Sequence, residues 1–395
     1  MKWASAVSRE AHLDAALDAC ASSLMVDLEG ESPDLVLAFA SPHFASSYHR
    51  LPSIVRELLG DALILGCSGR GVIGGGAELE DEPAISLTAA ILPGAELRPF
   101  RLQSDGIPDA DAPPQAWEDL VGVTVGEEPH FLLLADPYSF PTDTLVAGLD
   151  YAFPQSAKIG GLVSGGSPSN HALFLDGQFY PDGAAGVAFI GNVVIDTVVA
   201  QGCRPVGRPL LVTKAQGNLL QALDDRDPME VLRELFSSLN PSDQRLARHS
   251  LFLGVVTDPL KDNWTTGDFL IRNLLGIDPE SGALAVGEYL REGQTVQFHL
   301  RDAQTSAEDL TEQLDRYAGR SEDRSAAGAV LFSCNGRGIG LYGEAGHDSK
   351  AFFSSVGSLP LGGFFCNGEI GPVGGSTYIH GYTSSFGIFR PKLFS

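Results

Sequence analysis

Apolar segments that run into glycine-rich turns are the feature of this sequence that most restricts its fold. ALIL (62–65) leads into LGCSGRGVIGGG (65–76), and similar turns follow apolar runs in SCNGRGIG (333–340) and FFCNGEIGPVGG (364–375). Glycine lets a chain turn with positive φ and brings bare N–H groups close to a neighbour. The sequence therefore predicts buried strands that end in tight, open turns.

The spacing of these segments predicts a repeated α/β unit. LVLAFASP (35–42) and FLLLADP (131–137) are matching apolar runs, and Gly69 and Gly165 follow their prolines by 27 and 28 residues. Helix-like patterns lie between. A third copy begins at AVLFSCNGRG (329–338), and a weaker fourth copy begins at FLGVVTDP (252–259). Each unit is interpreted as strand, helix, strand, glycine turn, strand; chance similarity of short apolar strands is the alternative.

A strand–helix–strand crossover makes its two strands parallel. We expect the glycine turn to add an antiparallel strand to the same sheet. The fold class is therefore α/β, with two domains of mixed sheets. A chain of 395 residues also exceeds what one core usually supports. Gly and Pro cluster in QGCRPVGRPLLVTKAQGN (201–218), which predicts domains at 1–210 and 211–395.

The charge and the cysteines exclude several functional classes. Twenty-six Lys and Arg against 50 Asp and Glu give a net charge of −24, which repels nucleic acid and anionic lipid. There is no signal-peptide pattern and no apolar run long enough for membrane insertion. We therefore expect a cytoplasmic protein. The five cysteines never form CxxC, so neither a disulfide framework nor a zinc site is predicted.

The glycine turns predict a ligand site. In open α/β sheets, ligands bind beyond the carboxyl ends of the strands, where consecutive N–H groups can hold a carboxylate or phosphate. A dinucleotide or phosphate loop is disfavoured because no GxxxxGK[ST] occurs and no helix follows SGRGVIGGG. The turns favour a small polar molecule such as a zwitterion. The candidate binding residues are Cys67, Ser68, Arg70, Ser164, Asn335, Arg337, Cys366, Asn367 and Glu369.

Each of these residues also has a purely structural interpretation. Arg70 and Arg337 can pair with a ligand carboxylate or with an acid of the protein itself. Glycines at strand ends often serve only close packing.

No catalytic residue is predicted, because each of two kinds of chemistry would need a further group that no pattern in the sequence supplies. Cys67 or Cys366 would need a base such as His347 or His380 to act as a nucleophile. Asp136, Asp258 or Glu369 would have to form an acid–base pair. No histidine or cysteine spacing indicates a metal site, but a single axial haem histidine leaves no spacing pattern.

The sequence resembles the FIST family of intracellular sensory domains. PDLVLAFASPHF, LGCSGRGVIGGG and KIGGLVSGGSP are similar to its N-terminal domain, and VLFSCNGRG and GGFFCNGEIGPVGG are similar to its C-terminal domain. The resemblance implies a sensory role with amino acids or their derivatives as ligands, and supplies no catalytic site. Some members bind haem and respond to nitric oxide, and others carry an F-box. No F-box-like segment is evident before Pro33.

We therefore expect a sensor that binds a small polar ligand between glycine turns of both domains and signals through a separate partner protein. The sequence requires no cofactor, although haem is possible. The alternatives are a haem-based nitric oxide sensor, a cysteine-dependent hydrolase and a protein–protein scaffold.

Overall fold

The computed structural model describes residues 1–392 except 110, 262, 263, 265, 266, 279, 280 and 321–324. The chain forms two compact units. The first unit contains Met1–Val199 and Gln313–Ser395, and the second unit contains Ala200–Glu312. Helices and mixed sheets confirm the predicted α/β fold class with two domains. The boundaries 1–210 and 211–395 stay a prediction.

The first 200 residues contain strands and four α-helices, as far as the structure describes them. The strands are β1 (Lys2–Ser8), β2 (Leu35–Ala40), β3 (Leu63–Ser68), β4 (Gly71–Gly74), β5 (Ala77–Glu80), β6 (Ile85–Ile91), β7 (Ala95–Leu102), β8 (His130–Ala135), β9 (Lys158–Leu162), β10 (Leu173–Leu175), β11 (Gln178–Tyr180), β12 (Ala184–Gly191) and β13 (Val194–Ala200). The α-helices are α1 (Leu13–Asp27), α2 (Leu51–Leu59), α3 (Pro114–Val121) and α4 (Thr142–Ala152).

The remaining elements follow in two groups. The second unit contains β14 (Arg204–Gln216), β15 (Leu219–Leu223), α5 (Pro228–Ser238), α6 (Pro241–Ala247), β16 (Leu251–Val256), β17 (Phe269–Ile277), β18 (Leu284–Val286) and β19 (Thr295–Leu300). The chain continues with α7 (Ala303–Gly319), β20 (Gly328–Cys334), α8 (Gly338–Tyr342), α9 (His347–Ser355), β21 (Leu361–Cys366), β22 (Glu369–Val373), β23 (Ser376–His380) and β24 (Ser384–Arg390). Among the described residues, no helix is long and apolar enough to cross a membrane.

Three parallel strand pairs organise the first unit. β2 and β3 pair in parallel across α2, β8 and β9 across α4, and β20 and β21 across α8 and α9. Each pair lies in its own six-stranded sheet. The strand orders are β1-β6-β2-β3-β10-β11, β23-β22-β9-β8-β12-β7 and β13-β24-β20-β21-β4-β5.

The antiparallel strand predicted after each glycine turn is confirmed in its own sheet: β6 pairs with β2, β12 with β8 and β24 with β20. The short strand that comes directly after a turn joins a neighbouring sheet instead, since β4 pairs with β21 and not with β3. In the same way, the hairpin of β22 and β23 adds to β9, and the hairpin of β10 and β11 adds to β3. The turns therefore carry the chain from sheet to sheet and link the three sheets to one another.

One glycine in the second strand of each pair lies against the backbone of the first strand. A Cβ atom would lie 1.9 Å from the carbonyl oxygen of Ala38 at Gly66, 1.8 Å from that of Leu133 at Gly160, and 1.9 Å from that of Leu331 at Gly363. Real Cβ atoms do not approach oxygen so closely. These three positions therefore require glycine so that the two strands of each pair can lie close together.

The inner faces of the three sheets share one hydrophobic core. The rings of Phe39 and Phe364, from different sheets, stack with centroids 4.9 Å apart, and Phe332 meets Phe364 edge-on at 5.9 Å. Helices α1 and α2 cover the outer face of the first sheet, and α3 and α4 cover the second. The core therefore fixes where the strand ends meet.

The second unit has a different design. Its strands close into a six-stranded barrel in the order β14-β15-β18-β17-β16-β19. β16 and β17 pair antiparallel, with Val256 opposite Phe269. The weak fourth copy predicted from residues 252–259 onward therefore does not form a parallel pair like the other three.

Replacing Gly66 with Ala should destabilise the protein by at least about 3 kcal/mol, because the new methyl group would overlap the Ala38 carbonyl and force β2 and β3 apart. The change is measured as the free energy of unfolding in urea. Gly126→Ala is the matched control, since a Cβ there meets nothing within 4 Å. It should change stability by no more than about 0.5 kcal/mol. Equal effects of the two substitutions would show that the strands tolerate separation.

Candidate functional site

The turns at the carboxyl ends of β3, β9 and β21 meet and share backbone hydrogen bonds. The Ser164 N–H donates to the Ser68 carbonyl at 3.3 Å, and the Asn367 N–H donates to the Leu162 carbonyl at 3.0 Å. Each bond joins two different sheets. The strand ends of the first unit therefore satisfy hydrogen-bonding groups of one another.

The side chain of Ser164 makes the third connection. Its Oγ donates to the Phe365 carbonyl and accepts from the Arg70 N–H at 2.9 Å. A hydroxyl thus stands where the other two connections use a direct backbone bond. We call residues 68–70, 162–164 and 365–367 the turn ring, since these three bridges close it.

A cavity of about 300 Å³ adjoins the turn ring. Its lining combines side chains from the ends of β2, β3, β8, β9, β20 and β21 and from the loops that follow. The lining residues are Pro42, His43, Arg70, Asp81, Tyr138, Gly165, Gly166, His171, Asn335 and Asn367. Of the nine candidate binding residues, the structure therefore brings Arg70, Asn335 and Asn367 to one cavity.

Arg70 and Asp81 form an ion pair at the cavity. Arg70 Nε lies 3.1 Å from Oδ1 of Asp81, and Nη2 lies 3.1 Å from Oδ2. These hydrogen bonds raise the pKa of Arg70 and lower that of Asp81. Both groups remain charged at neutral pH, and their side chains are 48% and 66% exposed, so the pair can open to a ligand at small cost.

Two amide side chains form a chain of donors beside this pair. Asn335 Nδ2 donates to Asn367 Oδ1 at 2.8 Å, and Asn367 Nδ2 donates to the Val163 carbonyl at 3.0 Å. Asn335 Oδ1 is buried and has no hydrogen-bond partner among the described residues. The first amide therefore has an open polar atom that a bound molecule can satisfy.

Gly165 and Gly166 supply backbone groups to the same cavity. Their φ angles are +94° and +71°, a conformation that favours glycine. Within the described part of the chain, neither N–H donates a hydrogen bond to the backbone or to a side chain. Two consecutive N–H groups of this kind suit a carboxylate or another small anion.

His171 lines the cavity and pairs with an acid behind it. The ring is 3% exposed, and its Nδ1 lies 2.6 Å from Oδ1 of Asp136. Asp136 Oδ2 accepts from Ser139 Oγ, which in turn accepts from the Gly183 N–H at 2.8 Å. The imidazole is therefore held in a fixed orientation.

The structure places Arg337 outside the cavity lining. Its buried guanidinium contacts Asp348 through Nε at 2.8 Å and Nη2 at 3.0 Å, and Nη1 donates to the Tyr382 carbonyl. Burial would lower the pKa of Arg337 and raise that of Asp348, but their attraction outweighs it, so the first is raised and the second lowered. Of the two pairings considered for Arg337, the structure shows the one within the protein.

Cys67 and Cys366 lie inside the core, with no exposed surface. Burial raises the pKa of both thiols well above the usual range, and Glu369 raises that of Cys366 further. His347 instead stacks on Tyr342 with ring centroids 3.5 Å apart, and Nε2 of His380 lies 2.9 Å from the Gly371 carbonyl. This arrangement contains no activated thiol, and it gives no support to a cysteine-dependent hydrolase.

Glu369 and the two serines of the turn ring, Ser68 and Ser164, lie outside the cavity lining. Burial raises the pKa of Glu369 to about 8. Its Oε2 accepts from the Thr383 N–H at 3.0 Å, and its Oε1 lies 3.3 Å from Cys366 Sγ. Ser68 Oγ donates to the Ser164 carbonyl at 3.1 Å. None of these residues lines the cavity, so they hold the turn ring in place.

The prediction from sequence did not include the seven other lining residues: Pro42, His43, Asp81, Tyr138, Gly165, Gly166 and His171. Asp136 stood out because it follows a buried strand, but nothing local connects it to His171, 35 residues later. Gly165 and Gly166 were visible in the glycine turn. Tyr138 and His171 lie in loops and His43 lies in the 3₁₀ helix Pro42–Arg50, and none of these segments carries such a pattern.

The lining does not fit haem or a metal cluster. Haem needs an apolar slot, whereas this cavity presents an arginine, an aspartate, two amides and two histidines. Within the described residues, no group of three or more His, Cys, Asp or Glu side chains is placed to hold a metal ion.

Replacing Ser164 with Ala should destabilise the protein by about 2–4 kcal/mol, because the Arg70 N–H and the Phe365 carbonyl would lose their shared partner. The free energy of urea unfolding measures this loss. Ser169→Ala removes an exposed hydroxyl, which shares a hydrogen bond with the exposed Ser167, and should have almost no effect. A loss below about 0.5 kcal/mol for Ser164→Ala would show that the ring closes without this hydroxyl.

Glu369 should make the protein less stable as the pH rises. Its pKa of about 8 in the folded state lies above the ordinary value, so its contribution is complete below about pH 4 and is lost as the pH rises through 8. Glu369→Gln, which resembles the protonated acid, should reduce the loss of unfolding free energy between pH 5 and 9 by a few kcal/mol. The exposed residue Glu57 provides the control Glu57→Gln, which should behave as wild type. An identical pH dependence of all three proteins would refute the assignment.

Comparison with solved structures gives only weak similarity. A cyanuric acid hydrolase from A. caulinodans matches 99% of this chain and 100% of its own at 9% sequence identity, with a TM-score of 0.33. At this TM-score the match supports no argument about the fold or the function.

Comparison of sequences is more informative. The uncharacterized protein Mb0898c of Mycobacterium bovis is 36% identical over 367 residues, which cover 92% of each chain. The uncharacterized protein Rv0628c of Mycobacterium tuberculosis is 36% identical over 366 residues, covering 92% of this chain and 93% of its own. The FIST N domain matches residues 34–226 and the FIST C domain matches residues 228–372. The chain therefore belongs to the FIST family.

Proposed function

We propose that this protein is a sensor that binds an amino acid or an amino acid derivative in the cavity beside the turn ring. FIST domains are generally small-ligand sensory domains. The observation that carries the proposal is the convergence of Arg70, Asn335 and Asn367 with the N–H groups of Gly165 and Gly166 on one cavity. These groups come from distant parts of the sequence, and Asn335 Oδ1 and the two glycine N–H groups have no hydrogen-bond partner among the described residues.

The lining suits both ends of a zwitterion. The N–H groups of Gly165 and Gly166 and the guanidinium of Arg70 can donate to a carboxylate. Asp81 and the open Oδ1 of Asn335 can accept from an ammonium group. A volume of about 300 Å³ limits the ligand to a small molecule. An amino acid satisfies all of these conditions.

We also infer that the three parallel pairs are copies of one ancestral unit. Gly66, Gly160 and Gly363 support this inference, because each meets the carbonyl oxygen of the residue directly opposite in its pair. Each copy contributes its strand ends to the turn ring. A ligand in the adjoining cavity would therefore contact all three copies and couple them.

The alternatives are less well supported. The polar lining argues against the haem sensor, and the buried thiols argue against the cysteine-dependent hydrolase. A separate signalling partner and the absence of nucleic acid binding stay predictions from the sequence.

Calorimetric titration of the full chain with the common amino acids and their N-acetyl derivatives tests this function. We expect at least one to bind with a dissociation constant between about 1 μM and 1 mM. Asn335→Ala should weaken that binding about tenfold, because it removes the open Oδ1 that would accept a hydrogen bond from the ligand.

Asn192→Ala is the matched control. Asn192 Nδ2 donates to the Pro93 carbonyl at 3.0 Å and Oδ1 accepts from the Lys392 N–H, but the residue does not line the cavity. It should bind as wild type. A folded wild-type protein that releases or absorbs no heat with any compound of the panel would contradict the proposed function.

A further inference from the structure

Asp136 holds the imidazole ring of His171 in one orientation and is itself held by other groups. Asp136 is 5% exposed, and both of its carboxylate oxygens are engaged, Oδ1 with His171 Nδ1 and Oδ2 with Ser139 Oγ. The Asp136 N–H also donates to the Gly183 carbonyl at 2.8 Å. A buried acid held on both oxygens fixes the tautomer of the imidazole, so Nδ1 carries the proton that faces Asp136.

The second ring nitrogen of His171 remains open. Nε2 forms no hydrogen bond with any residue that the structure describes, and the ring is part of the cavity lining. With Nδ1 protonated, Nε2 carries a lone pair and can accept a proton. The other titratable groups at this cavity are His43, Arg70, Asp81 and Tyr138.

Hydrogen-bond donors lie in the same cavity. The Gly165 and Gly166 N–H groups and the guanidinium of Arg70 can stabilise negative charge on a carbonyl oxygen. An oriented base and a set of donors at one cavity are the two parts that hydrolysis of an acyl group by water needs.

We propose that this cavity hydrolyses a small carboxylic ester or amide, with His171 as the catalytic base and Asp136 as its positioning residue. The inference rests on the cavity of the proposed function but adds a reaction to it. His171 Nε2 takes one proton from a water molecule while the water oxygen bonds to the acyl carbon. The carbonyl π electrons move to the oxygen, which the donors stabilise.

The intermediate then breaks down without any further reactant. The C=O bond re-forms, the bond from the acyl carbon to the alcohol oxygen or amine nitrogen breaks, and His171 Nε2–H returns its proton to the leaving group. The products are a carboxylic acid and an alcohol or amine, and His171 regains its starting state.

Initial rates of 4-nitrophenyl acetate hydrolysis by the full chain test this proposal, since the released 4-nitrophenolate is followed by its absorbance. His171→Asn keeps an amide donor where Nδ1 meets Asp136 but removes Nε2. We expect the rate to fall about 100-fold, a typical contribution of general base catalysis. The exposed residue His49 gives the control His49→Asn, which should retain the wild-type rate. Equal rates for wild type and His171→Asn would overturn the proposal.

Asp136→Asn tests the positioning role. Without the carboxylate, the imidazole is no longer held in one orientation, so kcat for the ester should fall about tenfold while KM stays at the wild-type value. A purely structural role would change KM as well, and Asp136→Glu, which keeps the carboxylate, should recover part of the lost kcat. An unchanged kcat with a folded protein would exclude Asp136 from the reaction.

The two functions fail in different ways. If amino acids bind in the calorimeter but wild type hydrolyses the ester no faster than His171→Asn, the hydrolytic inference is wrong and the sensor proposal stands. If the ester is hydrolysed through His171 but no amino acid or derivative binds, the sensor proposal is wrong and the hydrolytic inference stands.

Discussion

The strand ends of the first unit depend on one another for their backbone hydrogen bonds. A buried N–H or carbonyl without a partner costs about 1–3 kcal/mol, so a turn that leaves its own sheet needs acceptors elsewhere. The turn ring supplies them across three sheets, and Ser164 Oγ bridges the one gap that the backbone does not close. The sheets are therefore held together by polar groups at their ends as well as by the phenylalanines of the core.

These hydrogen bonds among the turns determine where the cavity lies. The backbone groups of the three turns form hydrogen bonds with one another. The remaining polar groups of the residues just beyond the turns therefore face away from the turn ring. Gly165, Gly166 and Asn335 keep open donors or acceptors for that reason. Arg337 shows the opposite case. Its pairing with Asp348, which Ser333 and Ser384 also contact, anchors the end of β20 beneath the cavity and leaves no group for a ligand. Breaking such a buried pair is costly, so it stabilises the frame of the site.

Local patterns in the sequence predict the strands, the crossover helices and the glycine turns. Arg70, Asn335 and Asn367 could be predicted because they lie within those turns. Arg337 and Glu369 lie in the same turns, but whether a charged side chain faces a cavity or an internal partner depends on contacts between sheets. Asp348, the partner of Arg337, lies in α9 and has no local pattern that would identify it. The exchange of hairpins between sheets was missed for the same reason, since a glycine turn does not specify which strand follows it in space.

The net charge narrows the chemistry of the ligand further. A chain with a charge of −24 surrounds the cavity with a field that opposes anions, and the opposition grows with the number of negative charges on the ligand. The donors at the cavity act only over hydrogen-bond distances. A polyanion would gain binding free energy from those contacts but would be repelled as it approached the protein. A zwitterion or a neutral ester carries no net charge and is not repelled. The long-range field and the local groups therefore favour the same class of molecule: small, polar and without net charge.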